Sequence, residues 1–106
     1  MNFAQRHTQK MRNIERPKSF RQDFKREIRG IHRNLLAKGG ELDLIVIALA
    51  NDKKLPILYR DHPLHNNWEG SRECHIRSDF LLIYTYVGDD WLRLERLGDH
   101  DELFGL

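Results

Sequence analysis

The sequence holds little that would crosslink a small chain. Its one cysteine, Cys74, excludes an internal disulfide and any cysteine-based zinc site. Prolines number only three, and hydrophobic and charged residues make up 40% and 32%, which argues against a wholly disordered chain. No uninterrupted apolar run reaches the ~18 residues of a membrane span. Met1 to Lys10 lacks the apolar stretch of a secretory signal. Repeats and low-complexity tracts are absent. What is there is a chain of 106 residues, the size of one domain. Burial of roughly two-thirds of its unfolded surface gives one modest core without crosslinks. The expectation is a small, soluble, cytoplasmic protein with no membrane partner.

Charge of one sign is scarce in each half. Residues 1–40 hold eleven Lys/Arg against three Asp/Glu, whereas residues 41–106 hold seven against thirteen, so a net +2 hides +8 and −6. Twelve of the eighteen basic residues are arginine, the side chain suited to bidentate phosphate contacts. A basic half suggests an anionic partner, nucleic acid or an acidic protein segment. A solvated basic helix face accounts for the same charges.

Residues 1–10 are polar and aperiodic and read as a flexible extension to a domain over 11–106. Asn13 to Arg16 predicts a short strand ahead of Pro17. With Ser19 as N-cap, Phe20, Phe24, Ile28, Ile31 and Leu35 recur on one face of a helix ended by Gly39 and Gly40. Leu42 to Asn51 predicts a second helix, paired antiparallel with the first. Leu55 to Tyr59 is a short strand candidate. Ser71 to Ile76 alternates, with Cys74 and Ile76 on one face and Glu73 and His75 on the other. Phe80 to Val87 and Trp91 to Leu97 complete an antiparallel β-meander, and DHDELFG closes the chain as a turn or short helix. The fold class is α+β, a helix pair packed on a twisted meander.

Titratable residues gather in the second half: Asp61 and His62, Glu73 and His75, Asp79, then Asp99, His100 and Asp101. A meander brings such positions together. One reading is a metal site, weak because no His-x3-His spacing occurs and Glu73 with His75 is a common pattern. The other is metal-free acid–base chemistry by histidine. Taken singly, each histidine is more readily a loop hydrogen-bonder, His7, His32 and His65 more so than His62. Trp68 reads as a loop anchor before a stacking platform, and Phe104 as a tie for the tail or a stacking ring. Cys74 faces away from His75, against a nucleophilic pair. No phosphate-binding loop or nucleophile elbow is present.

Read together, YRDHPLHNNWEGSRECHIRSDFLLIY and LRLERLGDHDELFG resemble the YafQ branch of the RelE/ParE toxin superfamily. Asp61, His62, Pro63 and Leu64 match its first element, and Trp68, Gly70, Arg72 and His75 the second. Asp79, Leu82, Ile83 and Tyr84 match the third; Arg96, Gly98, His100, Leu103 and Phe104 match the last. Two positions depart from the family pattern: Glu73 where Asp is frequent, and Asp99 where Ser or Thr is commoner, the latter expected to act on the His100 charge.

The resemblance implies the toxin of a type II toxin–antitoxin module with a RelE-like fold. It implies a ribosome-dependent mRNA interferase, an endonuclease that cuts the message in the ribosomal A site and inhibits translation, with no cofactor. His62, His75, Asp79 and His100 would be catalytic. Glu73 and Phe104 would support them, and Arg72 or Arg96 would offset charge on the phosphate. Partners would be a cognate antitoxin, the ribosome and mRNA, with operator DNA reached only through the antitoxin. The alternative is a ParE-like inhibitor of DNA gyrase, which needs no histidine cluster. A decayed toxin that only binds its antitoxin is a third reading.

Overall fold

The computed structural model describes residues 10–105. The expected extension over residues 1–10, His7 included, lies outside these residues except for Lys10. In chain order come β1 (Asn13–Glu15), α1 (Lys18–Glu27), α2 (Glu41–Ala50), β2 (His62–Pro63), β3 (Arg72–Arg77), β4 (Phe80–Val87), β5 (Trp91–Gly98) and α3 (His100–Phe104). Turns of 3-10 helix at Arg33–Leu36, Ile57–Tyr59 and Asn66–Trp68 join them. The five strands form one sheet in the order β1-β5-β4-β3-β2. β2 to β5 pair antiparallel, and β1 adds a parallel edge with Ile14 opposite Leu92. The expected α+β class is observed.

Local chemistry accounts for these elements. β4, FLLIYTYV, is rich in strand formers, and its Phe80 to Tyr84 segment is buried. α2 carries Glu41 and Asp43 in its first turn, where carboxylates favour the helix dipole. The Gly39 N–H also donates to Asp43 Oδ2 at 2.6 Å. Leu42, Ile45, Val46 and Leu49 of α2 join Phe20 of α1 and Leu82, Tyr84, Leu92 and Leu94 of the sheet in the main core. Leu81 and Ile83 point to the other sheet face, where Leu64, Trp68, Leu103 and Phe104 make a smaller cluster. Polar alternation thus gives the sheet one face closed by α1 and α2 and one face only partly covered.

Three local expectations are corrected. α1 stops at Glu27 rather than continuing to Leu35. Arg29 and Gly30 N–H groups bond the carbonyls three residues back, Arg26 and Glu27, which tightens and ends the helix. Ile31 is left 90% exposed, while Leu36, reached through the 3-10 turn, is 6% exposed. Pro17, not Ser19, occupies the N-cap, and the Ser19 hydroxyl donates to the Glu95 carbonyl at 3.2 Å. Leu55 to Tyr59 contains a 3-10 turn following Pro56, which has no N–H to give a ladder; the edge strand forms instead at His62–Pro63.

Buried charge ties α1 to β5. Asp23, 3% exposed, accepts from Arg96 Nε at 2.6 Å, the Leu97 N–H at 2.9 Å and Arg26 Nη1 at 3.0 Å. On the same core side, the Tyr84 hydroxyl donates to Asp61 at 2.7 Å and Arg72 Nε donates to Asp61 at 3.1 Å. Burial, with Asp61 adding to it, pushes the Tyr84 hydroxyl well above its ordinary range.

Candidate active site

The site grows from the alternation of β3. Cys74 and Ile76 enter the core, which turns Glu73 and His75 to the open face. Register brings His62 of β2 directly opposite Glu73. After the β3–β4 turn, Asp79 lies beside the start of α3. There it accepts from the His100 backbone N–H at 3.0 Å and meets the ring Nδ1 at 2.6 Å. Asp99 holds α3 in place with a capping box: Glu102 N–H donates to Asp99 Oδ1 at 2.8 Å, and Asp99 N–H to Glu102 Oε1 at 3.0 Å. The Asp99 carboxylate therefore caps the helix.

These elements produce a row of rings. His62 and His75 have centroids 5.9 Å apart, His75 and His100 also 5.9 Å, and His100 and Phe104 6.1 Å. Glu73, with a side chain 5% exposed, sits behind the first two. Its Oε1 is 3.1 Å from His62 Nε2 and 3.0 Å from His75 Nε2. Asp79 sits behind the third. The backbone N–H of His100, and then its ring, hold the Asp79 carboxyl below its ordinary 3.8. With Nδ1–H donated to Asp79, His100 Nε2 remains for chemistry. A carboxylate behind each ring keeps a proton acquired by that ring close to a negative charge.

His75 Nδ1 has two neighbours with opposite demands: Arg60 Nη2 at 3.2 Å, a donor, and the Ser78 carbonyl at 3.3 Å, an acceptor. Nothing in the sequence pointed to Arg60. Its backbone is left-handed, at φ 46 and ψ 46, unusual for a residue other than glycine. Arg72 and Arg96, expected near the phosphate, are held by Asp61 and Asp23. Trp68 packs on the small cluster with Leu81 and Ile83, as a loop anchor. His32 stacks on Phe80 at 4.3 Å. A hollow of about 420 Å³ opens between the Asn66–Trp68 turn and Phe104, at the end of the row.

Ligand atoms of His62, Glu73 and His75 all lie within 4.8 Å of one another, so two imidazoles and a carboxylate converge as a metal would require. Sequence reading paired only Glu73 with His75; the third member comes from the β2–β3 register. Cys74, next in sequence, is buried in the core and its thiol is pushed up to about 12 by burial first and by the Asp61 and Glu73 charges next.

This α+β architecture is the RelE-like fold, shared with solved YafQ structures. The family profile of the bacterial toxin of type II toxin–antitoxin systems, YafQ, matches residues 12–105. The chain belongs to this YafQ family. It is 44% identical over 62 residues to the mRNA interferase toxin YafQ of Escherichia coli K12, an alignment covering 58% of this chain and 66% of that protein. The E. coli DinJ–YafQ complex aligns at 38% identity and a TM-score of 0.71 over 89% of this chain and 99% of that one. A metal-bound toxin from Helicobacter pylori aligns at 38% identity and a TM-score of 0.74, over 89% and 100%.

Proposed function

We propose that this chain is the toxin of a type II module and acts as a ribosome-dependent endoribonuclease that cleaves mRNA by acid–base catalysis. The observation carrying this reading is the row of His62, His75 and His100 with Glu73 and Asp79 behind it. The substrate's own 2′-OH attacks the adjacent phosphorus, so a P–O2′ bond forms and the P–O5′ bond breaks. His62, with Nε2–H donated to Glu73, takes the 2′-OH proton at Nδ1, which must leave the Pro63 carbonyl 3.1 Å away, and Glu73 stabilises the resulting imidazolium. His100, oriented by Asp79, protonates the departing 5′-oxygen through Nε2. His75 stands between them, and Phe104 flanks His100 where a neighbouring base would stack. This chemistry requires no metal, although the His62–Glu73–His75 cluster is chemically fit to bind one.

The mRNA interferase name of the E. coli relative and the DinJ–YafQ complex support, for this chain, message cleavage and a cognate antitoxin that holds the toxin inactive. An apolar groove of about 380 Å³ over Phe20, Phe24 and Leu42 has Arg16, Arg21 and Lys38 at its rim. Such a groove suits an acidic amphipathic antitoxin segment. Arg21, Lys25 and Arg29 on and just beyond α1 offer phosphate contacts to ribosomal RNA, whose signature is steep salt dependence. Operator DNA is reached through the antitoxin.

Primer extension on a defined message, with and without translating ribosomes, tests the reading. Discrete in-frame cuts that need ribosomes and vanish in His100→Ala are expected. A folded, antitoxin-free protein that makes no cuts would overturn it and direct attention to gyrase supercoiling. Charge reversal at Arg21, Lys25 and Arg29 should weaken ribosome binding at low salt.

A further inference from the structure

We propose that Arg60 is the phosphate-binding arginine of the histidine row, a catalytic residue that offsets charge on the scissile phosphate; this rests on the endoribonuclease reading above. A phosphodiester at the row brings negative charge that grows as the 2′-oxygen attacks. The row already holds two carboxylates, Glu73 and Asp79, so a cation on the same face is needed to favour that charge. Neighbouring arginines are engaged elsewhere. Arg72 is bound to Asp61 at 3.1 Å, Arg77 to Glu41 at 3.0 Å, and Arg96 to Asp23 at 2.6 Å.

Arg60 differs from all three. It is exposed and forms no ion pair with a carboxylate among the described residues, and its Nη2 rests 3.2 Å from Nδ1 of His75, the middle ring. At this left-handed turn of backbone, φ 46, adjacent side chains meet different partners: Asp61 meets Tyr84 on the core side and Arg60 meets His75 on the open side. A hydrogen bond to a ring nitrogen is weaker than a guanidinium–phosphate pair, so an arriving phosphate displaces Arg60 from Nδ1. The planar fork of the guanidinium matches two phosphate oxygens. Position, charge and lack of a competing acid converge on this one side chain.

Arg60→Gln tests the charge, because glutamine keeps a polar amide while losing the cation. On ribosomes, single-turnover cleavage should fall about 10²–10³-fold, with Arg60→Lys recovering at least tenfold of the loss. A sulfur replacing one non-bridging oxygen of the scissile phosphate should slow the parent and leave Arg60→Gln little further affected. A second arm needs no cleavage: inorganic phosphate titrated into the folded parent should shift the Arg60 Nε–H NMR signal and leave that of Arg72 in place. Arg60→Gln within threefold of the parent, or an unchanged sulfur effect, overturns the role of Arg60 while the nuclease reading stands. A parent that never cuts, yet binds phosphate at Arg60, overturns the nuclease reading and retains the phosphate site. No shift at Arg60 with phosphate overturns the site itself.

Discussion

On the helix-covered face of the sheet, charged groups are locked to one another: Asp23 accepts from Arg96, Arg26 and the Leu97 N–H, and Asp61 from Tyr84 and Arg72. On the open face, Glu73 shares a single oxygen between two rings, and Asp79 leaves His100 Nε2 uncommitted. The residue types are similar; what differs is whether proton-carrying atoms remain available. One step along β3, from Cys74 to His75, crosses from the first environment to the second. The period-2 geometry of a strand thus lets one short segment fill the core and present the row of rings at once.

Removing the proposed acid sets the two faces apart most strongly. His100→Gln should lower ribosome-dependent cleavage about 10²–10⁴-fold, the range for a positioned proton donor. Urea unfolding of the same variant should change by less than about 0.5 kcal/mol, since the ring is partly exposed and α3 is capped by Asp99 instead. A variant that cleaves within a few-fold of the parent would remove His100 from the donor role and put the division of labour between the faces in doubt.

Cys74 and His75 give the next contrast. With its thiol raised from 9.0 to about 12, Cys74 presents roughly a thousandfold less thiolate at pH 8 than an ordinary cysteine. Iodoacetamide should therefore label it only in denaturant, while diethyl pyrocarbonate modifies the open-face histidines of the native protein. Rapid native alkylation of Cys74 would mean that β3 leaves the sheet readily, contrary to its fully buried place in the core.

Breaking the closed face comes third. Asp23→Ala strands Arg96 and the Leu97 N–H without their acceptor, and removal of one partner from a buried pair costs about 3 kcal/mol or more. The urea midpoint should fall accordingly. Asp23→Asn keeps a carbonyl acceptor for Leu97 and should recover part of the loss. In both variants cleavage per folded molecule should stay within a few-fold of the parent, because Asp23 touches none of the three rings of the row. A stability close to the parent's would reduce Asp23 to an ordinary surface acid.

The same contrast explains what could be read from the sequence. β3, β4, β5 and α2 were legible because alternation or a dense apolar stretch spans each of them. His62, His75, Asp79 and His100 were legible as candidates through their residue types and the family spacing. The end of α1 was not, because Ile28, Ile31 and Leu35 continue the helical period across a break at Gly30 where the chain turns to bury Leu36 instead. Nor was the pairing of His62 with Glu73, which depends on a two-residue strand containing a proline. Arg60 was illegible for a backbone reason: an arginine carries no sign that its φ will be positive. The roles given to Arg72 and Arg96 followed from motif position, whereas their ion pairs depend on Asp61 and Asp23, the latter far away in sequence.

The smallest expected effect concerns the exposed acid of the open face. The folded Asp79 carboxyl lies below its ordinary 3.8 because the ionised form accepts from the His100 backbone and ring. Its bond therefore favours the folded state above that ordinary value, and the contribution fades as pH falls through the lower folded value. Carbon-detected NMR of the carboxyl should place its midpoint below 3.8, and Asp79→Asn should narrow the difference from the parent as the solution is acidified. At neutral pH, the amide of the Asp79→Asn variant can still accept from the His100 N–H but cannot pair with an imidazolium, so His100 serves less well as proton donor. The alkaline limb of the cleavage profile, where a general acid is lost, would then move to lower pH while the unfolding midpoint barely moves. An unchanged profile would make Asp79 a brace for the start of α3 rather than the group that sets the orientation and charge of His100.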